Sequence, residues 1–404
     1  MRQAARWAMM LFIGAGALFV TGCWDRSEVN DLAIILSAGI DQDNRNGVKL
    51  SVEVYIPKSG ESGTTQDGMS PSGGGGRPTL VSSATGVSLS DAMSHLQERL
   101  SRKLYWGHNH VFVIGKKRAE AGLDDDLDFV LRYPEMRERA NFYITEGTAI
   151  EVMRVMPQLE RSTMEALREL SKTEVGSRVD LKQLLELMSR SPDQAFYLPY
   201  VLRGSEMTDS QYARNPDVPY FKGMAVLKKG KLVGTVDNET SLGVLWLTDR
   251  IRASTLVVYP ISTGSISVSL SRSVTDAKPY IGPDGKWRLD LTVHYEGDVV
   301  QNTSGLDLMK PDQFTRIVEG ANETIRGRME AALKEVRTGM KADVLDFGEA
   351  FRRKYPKQWR AAKGEWEERF KQIEISLDVK ADIIRPGSIT GNIPELIRKD
   401  GGRE

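Results

Sequence analysis

The 404-residue sequence contains few of the residues on which metal, redox and disulfide chemistry depend. One cysteine cannot form an internal disulfide or a zinc site built from cysteines alone, and only four histidines are present. Lys and Arg number 55, as do Asp and Glu, so the formal net charge is zero, which argues against a nucleic-acid partner. The common motifs of serine hydrolases, zinc proteases and dinucleotide-binding folds are absent. We therefore predict no catalytic residue, no metal ligand and no cofactor site.

Long apolar runs are also absent, apart from a short one near the amino terminus. Arg2 and Arg6 precede an uncharged segment from Trp7 to Val20. As a helix this segment would extend only ~21 Å, which is short of the ~30 Å hydrocarbon core of a bilayer. It is therefore typical of a signal peptide, which we place at residues 1–22, and not of a spanning helix.

The apolar segment ends in Val-Thr-Gly-Cys, and its cysteine, Cys23, is the single cysteine of the chain. This pattern resembles the lipobox of bacterial lipoproteins, in which the cysteine receives a diacylglyceryl group before cleavage. We predict that Cys23 is the lipid attachment site, with palmitate among the acyl groups, and that two acyl chains hold the body of the protein outside the membrane. An ordinary signal peptide with an unrelated cysteine is the alternative interpretation.

Strand and helix patterns alternate after this segment. Leu50, Val52 and Val54 alternate with Ser51 and Glu53, which predicts a half-buried strand. Gly, Ser and Pro dominate residues 57–78, which predicts a long mobile loop. A polar segment at 206–219 predicts a domain boundary.

Near the carboxyl terminus, apolar residues spaced by three and four from Pro311 onward predict a long amphipathic helix that packs on a sheet. Strict alternation from Ile373 to Ile383 predicts a further strand. Between them, the segment Phe351–Lys371 interleaves basic and aromatic residues. We interpret it as aromatic side chains packing on the sheet with basic side chains in water. Contact of the basic residues with anionic lipid headgroups is the alternative.

Two of the four histidines are close together in the sequence. His108 and His110 are two residues apart on a predicted strand and so share a face, a geometry that suits metal ligation. Because no third ligand is evident, we interpret both as structural histidines that hydrogen-bond neighbouring backbone groups.

Short patterns spread along the chain occur in the order typical of one family. They comprise Cys23, Trp24, Asp25 and Glu28, then Gly107 and His108, then the run Lys341–Asp343, and finally Tyr355, Pro356 and Trp359. Together they resemble the C-subunit lipoproteins of bacterial spore nutrient-germinant receptors, the GerAC-type family. The loop at 57–78 looks expanded relative to that family.

The resemblance implies an α+β fold of three domains of mixed sheets packed with helices. We place an N-terminal α/β domain at 23–205, a middle hairpin-helix domain at 218–285 and a C-terminal domain at 286–386, followed by a polar tail at 387–404. In the last domain the long helix is expected on an antiparallel sheet.

The resemblance further implies that the protein is located on the outer face of the spore inner membrane. It also implies a complex with a multi-span A subunit and a transporter-like B subunit. Such a C subunit is required for the response to nutrients and is not an enzyme. Two alternatives differ in class: a lipid-anchored solute-binding protein that captures the nutrient itself, and a tethered cell-wall hydrolase with paired carboxylates.

Overall fold

The computed structural model describes most of the chain beyond the amino-terminal segment. The described residues are 28–56, 79–155, 160–173, 176–190, 195–204, 218–259 and 264–385, with Gln3, Trp7 and Pro157 as single residues. The predictions for Cys23, Trp24 and Asp25, for the loop at 57–78 and for the tail at 387–404 lie outside these residues. No described helix is both long enough and apolar enough to cross a membrane.

A large mixed sheet forms the first half of the fold. Its strands are β1 (Leu32–Gln42), β2 (Val48–Tyr55), β3 (Thr79–Gly86), β4 (Lys103–Tyr105), β5 (Val111–Gly115), β6 (Asn141–Thr145), β7 (Ala195–Gly204), β8 (Val218–Lys228) and β9 (Lys231–Asp237). Their order is β3-β2-β1-β5-β6-β7-β8-β9, and β4 pairs with β1. The central strands β1, β5, β6 and β7 are parallel neighbours.

Helices cover both faces of this sheet. They are α1 (Leu89–Gln97), α2 (Lys116–Ala121), α3 (Asp124–Arg132), α4 (Ala149–Met153), α5 (Thr163–Lys172), α6 (Leu181–Arg190) and α7 (Asn238–Leu247). Successive side chains of a strand point to opposite faces. In β5, Val111 and Val113 accordingly pack in one apolar cluster with Leu167 of α5, and Phe112 packs in the other. Parallel strands with both faces covered require apolar residues throughout, as β5 has.

A smaller sheet forms the second half. Its strands, in order, are β10 (Thr255–Val258), β11 (Ile266–Ile281), β12 (Trp287–Asn302) and β13 (Glu374–Arg385). Four helices separate β12 from β13: α8 (Pro311–Lys334), α9 (Phe347–Lys354), α10 (Pro356–Ala362) and α11 (Trp366–Gln372). The prediction of an antiparallel sheet is wrong for one pair, because β12 and β13 are parallel. The helices between them form the long crossover that a parallel pair requires.

The long helix α8 has the predicted apolar stripe, with Ile317, Ala321, Ile325 and Met329 fully buried. It ends in a single π-helical turn, Glu335–Gly339. Helix α8 also crosses α7 closely at Gly243, where a Cβ atom would clash with the carbonyl oxygen of Arg328. The packing of α8 therefore joins the second sheet to the helix that follows β9.

The range 218–285, expected as a middle domain, contributes strands to both sheets. Strands β8 and β9 belong to the large sheet, and β10 and β11 belong to the small one. Buried residues of the two sheets form one continuous apolar core. The mixed sheets packed with helices agree with the predicted α+β class, and the three domain ranges stay predictions.

Candidate functional site

The histidine pair lies in the turn that connects β4 to β5. We expected His108 and His110 on a strand, but β5 begins only at Val111. The backbone folds back here, since Asn109 N donates to the carbonyl of Trp106 at 2.8 Å. Gly107 has a steric role in this turn, because a Cβ atom there would overlap the ring of Tyr105. Both histidines nevertheless line one cavity.

This cavity, which we call the histidine cavity, has a volume of about 290 Å³. It lies between the histidine turn, the paired ends of β2 and β3, and the first turns of α5. The charged and polar residues that line it are Tyr55, Thr79, His108, His110, Arg161, Ser162, Glu165 and Arg168. Its size is near the lower end for small-molecule sites in proteins.

A buried carboxylate supports the wall of the histidine cavity. Glu53 is only 1% exposed, although its place in the alternating strand predicted a solvent-facing side chain. The Ser37 hydroxyl donates to its carboxylate at 3.1 Å, and the hydroxyls of Thr79 and Ser162 lie near enough to lower its pKa. Burial is the larger effect and raises the pKa of Glu53.

The surroundings of His110 are positively charged. The guanidinium of Arg137 donates to its ring, with Nη1 3.0 Å from Nε2. This contact replaces the backbone hydrogen bond that we expected. Burial, followed by the positive charges of Arg137 and Arg168, lowers the pKa of His110 to about 4. The imidazole is therefore neutral at pH 7.

The histidine cavity presents both donors and acceptors of hydrogen bonds. The guanidinium groups of Arg161 and Arg168 supply donors, while Thr79 and Glu165 supply acceptors. Ser162, a lining hydroxyl, caps the start of α5 by accepting a hydrogen bond from the Glu165 backbone N at 3.2 Å. Among the described residues, no group of three or more His, Cys, Asp or Glu side chains is arranged to hold a metal ion.

The pattern near the carboxyl terminus has a structural role. Pro356 begins α10, where proline fits because the first helical N–H has no intrahelical partner. Trp359 is buried in a cluster of aromatic rings, 4.8 Å from Trp366 and 6.5 Å from Trp287 between ring centroids. Tyr355 separates α9 from α10, and the Lys354 ammonium lies over its ring. These residues hold the two helices together under the small sheet.

A second buried carboxylate organises this aromatic cluster. Asp343 is fully buried and accepts hydrogen bonds from the backbone N of Leu345, Phe347 and Gly348 at 2.7–3.3 Å. It also accepts one from the indole N–H of Trp366 at 3.0 Å. Asp343 therefore fixes the start of α9 against α11. The sequence patterns included Asp343, but nothing in them indicated that it bonds to Trp366.

Of the residues in the amino-terminal family pattern, the structure describes only Glu28. This residue is exposed, and its carbonyl accepts from the backbone N of Asp31 at 2.9 Å in the turn before β1.

Sequence reasoning missed the burial of Glu53 and the contact between Arg137 and His110. Neither has a local signal, because the partners come from segments far apart in the chain.

Both halves of the chain match known protein families. Residues 25–202 match the family described as spore germination protein N-terminal domain, and residues 222–387 match the family described as spore germination B3/GerAC like, C-terminal. The chain is therefore a spore germination protein of two matched regions, and it belongs to the GerAC-type family.

Similar proteins cover nearly the whole chain. Spore germination protein KC of Bacillus subtilis (strain 168) is 25% identical over 380 residues, which covers 90% of this chain and 91% of that protein. Spore germination protein B3 of the same organism is 22% identical over 401 residues, covering 96% and 100%. The crystal structure of the GerBC protein has a TM-score of 0.56 at 16% identity and covers 86% of this chain and 97% of that chain. This last likeness shows the fold alone.

Proposed function

We propose that this protein is the non-enzymatic, lipid-anchored C subunit of a nutrient germinant receptor and is needed for spore germination in response to small nutrients. The observation that carries the proposal is the order of its parts. The lipobox-like pattern that ends at Cys23 is followed directly by the two spore-germination family regions, which together extend from residue 25 to residue 387. The relatives named as spore germination proteins align with nearly the entire chain.

The proposed position is the outer face of the spore inner membrane. Two acyl chains on Cys23 bind a bilayer durably because each buried CH₂ contributes ~0.8 kcal/mol. The proposed partners are a multi-span A subunit and a transporter-like B subunit. In such an assembly the body of this chain contributes protein surface, and the membrane-spanning segments come from the partners.

A cysteine substitution tests the anchor. We expect Cys23→Ala to move the protein from the membrane fraction to the soluble fraction and to impair nutrient-induced germination. The matched control is Val87→Ala, at an exposed apolar residue away from the amino terminus. Mass spectrometry of the amino-terminal peptide checks the diacylglyceryl group directly. Normal membrane retention and nutrient response in the Cys23→Ala spores would contradict the proposal.

A second candidate function is direct capture of a small solute by the same lipid-anchored protein. The observation that favours it is the histidine cavity, which combines guanidinium donors with carboxylate and hydroxyl acceptors. The test is calorimetry of the chain from Trp24 onward with single amino acids and sugars, beside an Arg168→Ala variant. Saturable heat that this variant abolishes would support capture, and the absence of heat with every probe would count against it.

A further inference from the structure

The segment from the second half of α9 to the turn after α10 has an unusual charge pattern. Of the fourteen residues from 351 to 364, six are Lys or Arg and none is Asp or Glu. The chain as a whole has equal numbers of basic and acidic residues. This segment is therefore a local concentration of positive charge in a protein whose formal net charge is zero.

The structure places these charges in solvent. The six cations are Arg352, Arg353, Lys354, Lys357, Arg360 and Lys363, and all are exposed. Arg352 and Arg353 form ion pairs with Glu349, at 2.5 and 2.7 Å. Within the part of the chain that the structure describes, the other four form no ion pair. We call these four, Lys354, Lys357, Arg360 and Lys363, the basic surface.

Two of the three aromatic residues of the same segment, Phe351 and Trp359, are buried and pack near Trp287 of the small sheet. The third, Tyr355, is half-buried, with the Lys354 ammonium over its ring. None of the three is fully exposed for insertion into an acyl layer. The spacing of Lys357, Arg360 and Lys363 by three keeps their side chains on neighbouring faces of α10 and its extension. The basic surface therefore recognises a partner through the partner's negative charge.

Contacts of α11 place this helix at the end of the large sheet where β1 begins. Strands β1, β5, β6 and β7 are parallel, so the start of β1 and the start of β7 lie at the same end. Ala195, which starts β7, pairs with Lys228. The Lys228 ammonium in turn bonds to the carbonyl of Lys341 and to Glu367 of α11, at 2.5 and 2.9 Å. Helix α10 packs on α11, with the ring centroids of Trp359 and Trp366 4.8 Å apart.

From these observations we propose that the basic surface docks on the anionic headgroups of the membrane that holds the lipid anchor. The proposal rests on the proposed function, which supplies the tether. Each Lys or Arg near an anionic bilayer contributes about 1 kcal/mol, and the attraction falls off within a Debye length. A short tether keeps the body near the bilayer, and the four cations give it one orientation.

Vesicle binding by the unlipidated protein tests this surface separately from the tether. The chain from Trp24 onward contains every described strand and helix, and it lacks both Cys23 and the signal segment. We expect it to bind vesicles of phosphatidylcholine with one third phosphatidylglycerol, and not vesicles of phosphatidylcholine alone. Changing Lys354, Lys357, Arg360 and Lys363 to Gln should weaken that binding roughly a hundredfold or more. Salt at roughly 1 M, where the Debye length is ~3 Å, should release the unaltered protein.

The matched control removes the same charge elsewhere. Lys310, Arg316, Arg326 and Lys334 are exposed cations on or next to α8, where acidic residues are interspersed, and their change to Gln should leave vesicle binding within about twofold. Circular dichroism verifies that both variants are folded. Equal vesicle binding by the unaltered chain and the basic-surface variant would overturn the proposal. So would a basic-surface variant that binds vesicles normally but no longer co-purifies with other spore membrane proteins, because the surface would then contact a protein.

Discussion

Two buried carboxylates, one in each half of the fold, are surrounded by different kinds of hydrogen-bond donor. Asp343 accepts three backbone N–H groups from the turn that begins α9 and the indole N–H of Trp366 in the aromatic cluster. Glu53 accepts a hydrogen bond from the Ser37 hydroxyl, and the nearby hydroxyls of Thr79 and Ser162 line a cavity. Backbone donors cannot rearrange without unfolding the turn, whereas hydroxyl groups rotate. The comparison indicates that Asp343 fixes the local fold and that Glu53 is surrounded by hydroxyl groups that can reorient.

The largest expected effect in this comparison is at Asp343. The change Asp343→Ala leaves four donors without an acceptor in a site closed to water, and we expect a loss of about 3–5 kcal/mol in the free energy of unfolding. Urea unfolding followed by tryptophan fluorescence measures it. Asp312→Ala, in the exposed first turn of α8, should change stability by less than about 0.5 kcal/mol. A loss at Asp343 no larger than that of this control would show that the carboxylate does not organise the cluster.

A smaller effect is expected at Glu53. The change Glu53→Gln keeps the shape but places amide hydrogens beside the donating hydroxyl of Ser37, and below pH 4.5 we expect a loss of about 1–2 kcal/mol. Because the pKa of Glu53 in the folded protein lies above its ordinary value of 4.5, the folded state binds this proton more tightly than the unfolded state does. The contribution of Glu53 to stability is therefore full below pH 4.5 and falls as pH rises through the raised pKa.

The cost of Glu53→Gln should accordingly shrink as pH rises above about 4.5. Urea unfolding of both proteins across this range measures the difference. A cost that is independent of pH, or one that grows with pH, would mean that burial does not dominate the environment of Glu53.

The smallest effect on stability is expected at Arg137, whose guanidinium donates to the ring of His110. His110 has a pKa of about 4, and burial is the largest cause, with Arg137 next. The change Arg137→Gln should raise the pKa of His110 only part of the way to its ordinary value of 6.5, since burial remains. Nuclear magnetic resonance titration of the imidazole measures this. We expect stability at pH 7 to change by less than about 1 kcal/mol, because His110 is neutral there in both proteins. An unchanged His110 pKa would exclude Arg137 as a cause.

Several parts of the fold follow from local pattern. The apolar spacing after Pro311 predicted α8, and the alternation from Ile373 predicted β13, because an amphipathic helix or strand must turn its apolar side to a core. The aromatic residues of the 351–371 segment were expected in the core, and Phe351, Trp359, Trp366 and Phe370 are all buried. The family patterns marked His108 and Trp359 without indicating what either residue contacts.

What the sequence determined by itself is therefore the type and period of elements such as α8 and β13. Only the tertiary structure decided which strands are neighbours, and it made β13 parallel to β12. It also buried Glu53 on what the alternation marked as a solvent face, by packing Ser162 and α5 over that side of β2. The physical reason is the separation along the chain of the residues that make the deciding contacts. Helix and strand periodicity depends on side chains a few residues apart, whereas burial and strand order depend on contacts between segments that approach only when the whole chain folds.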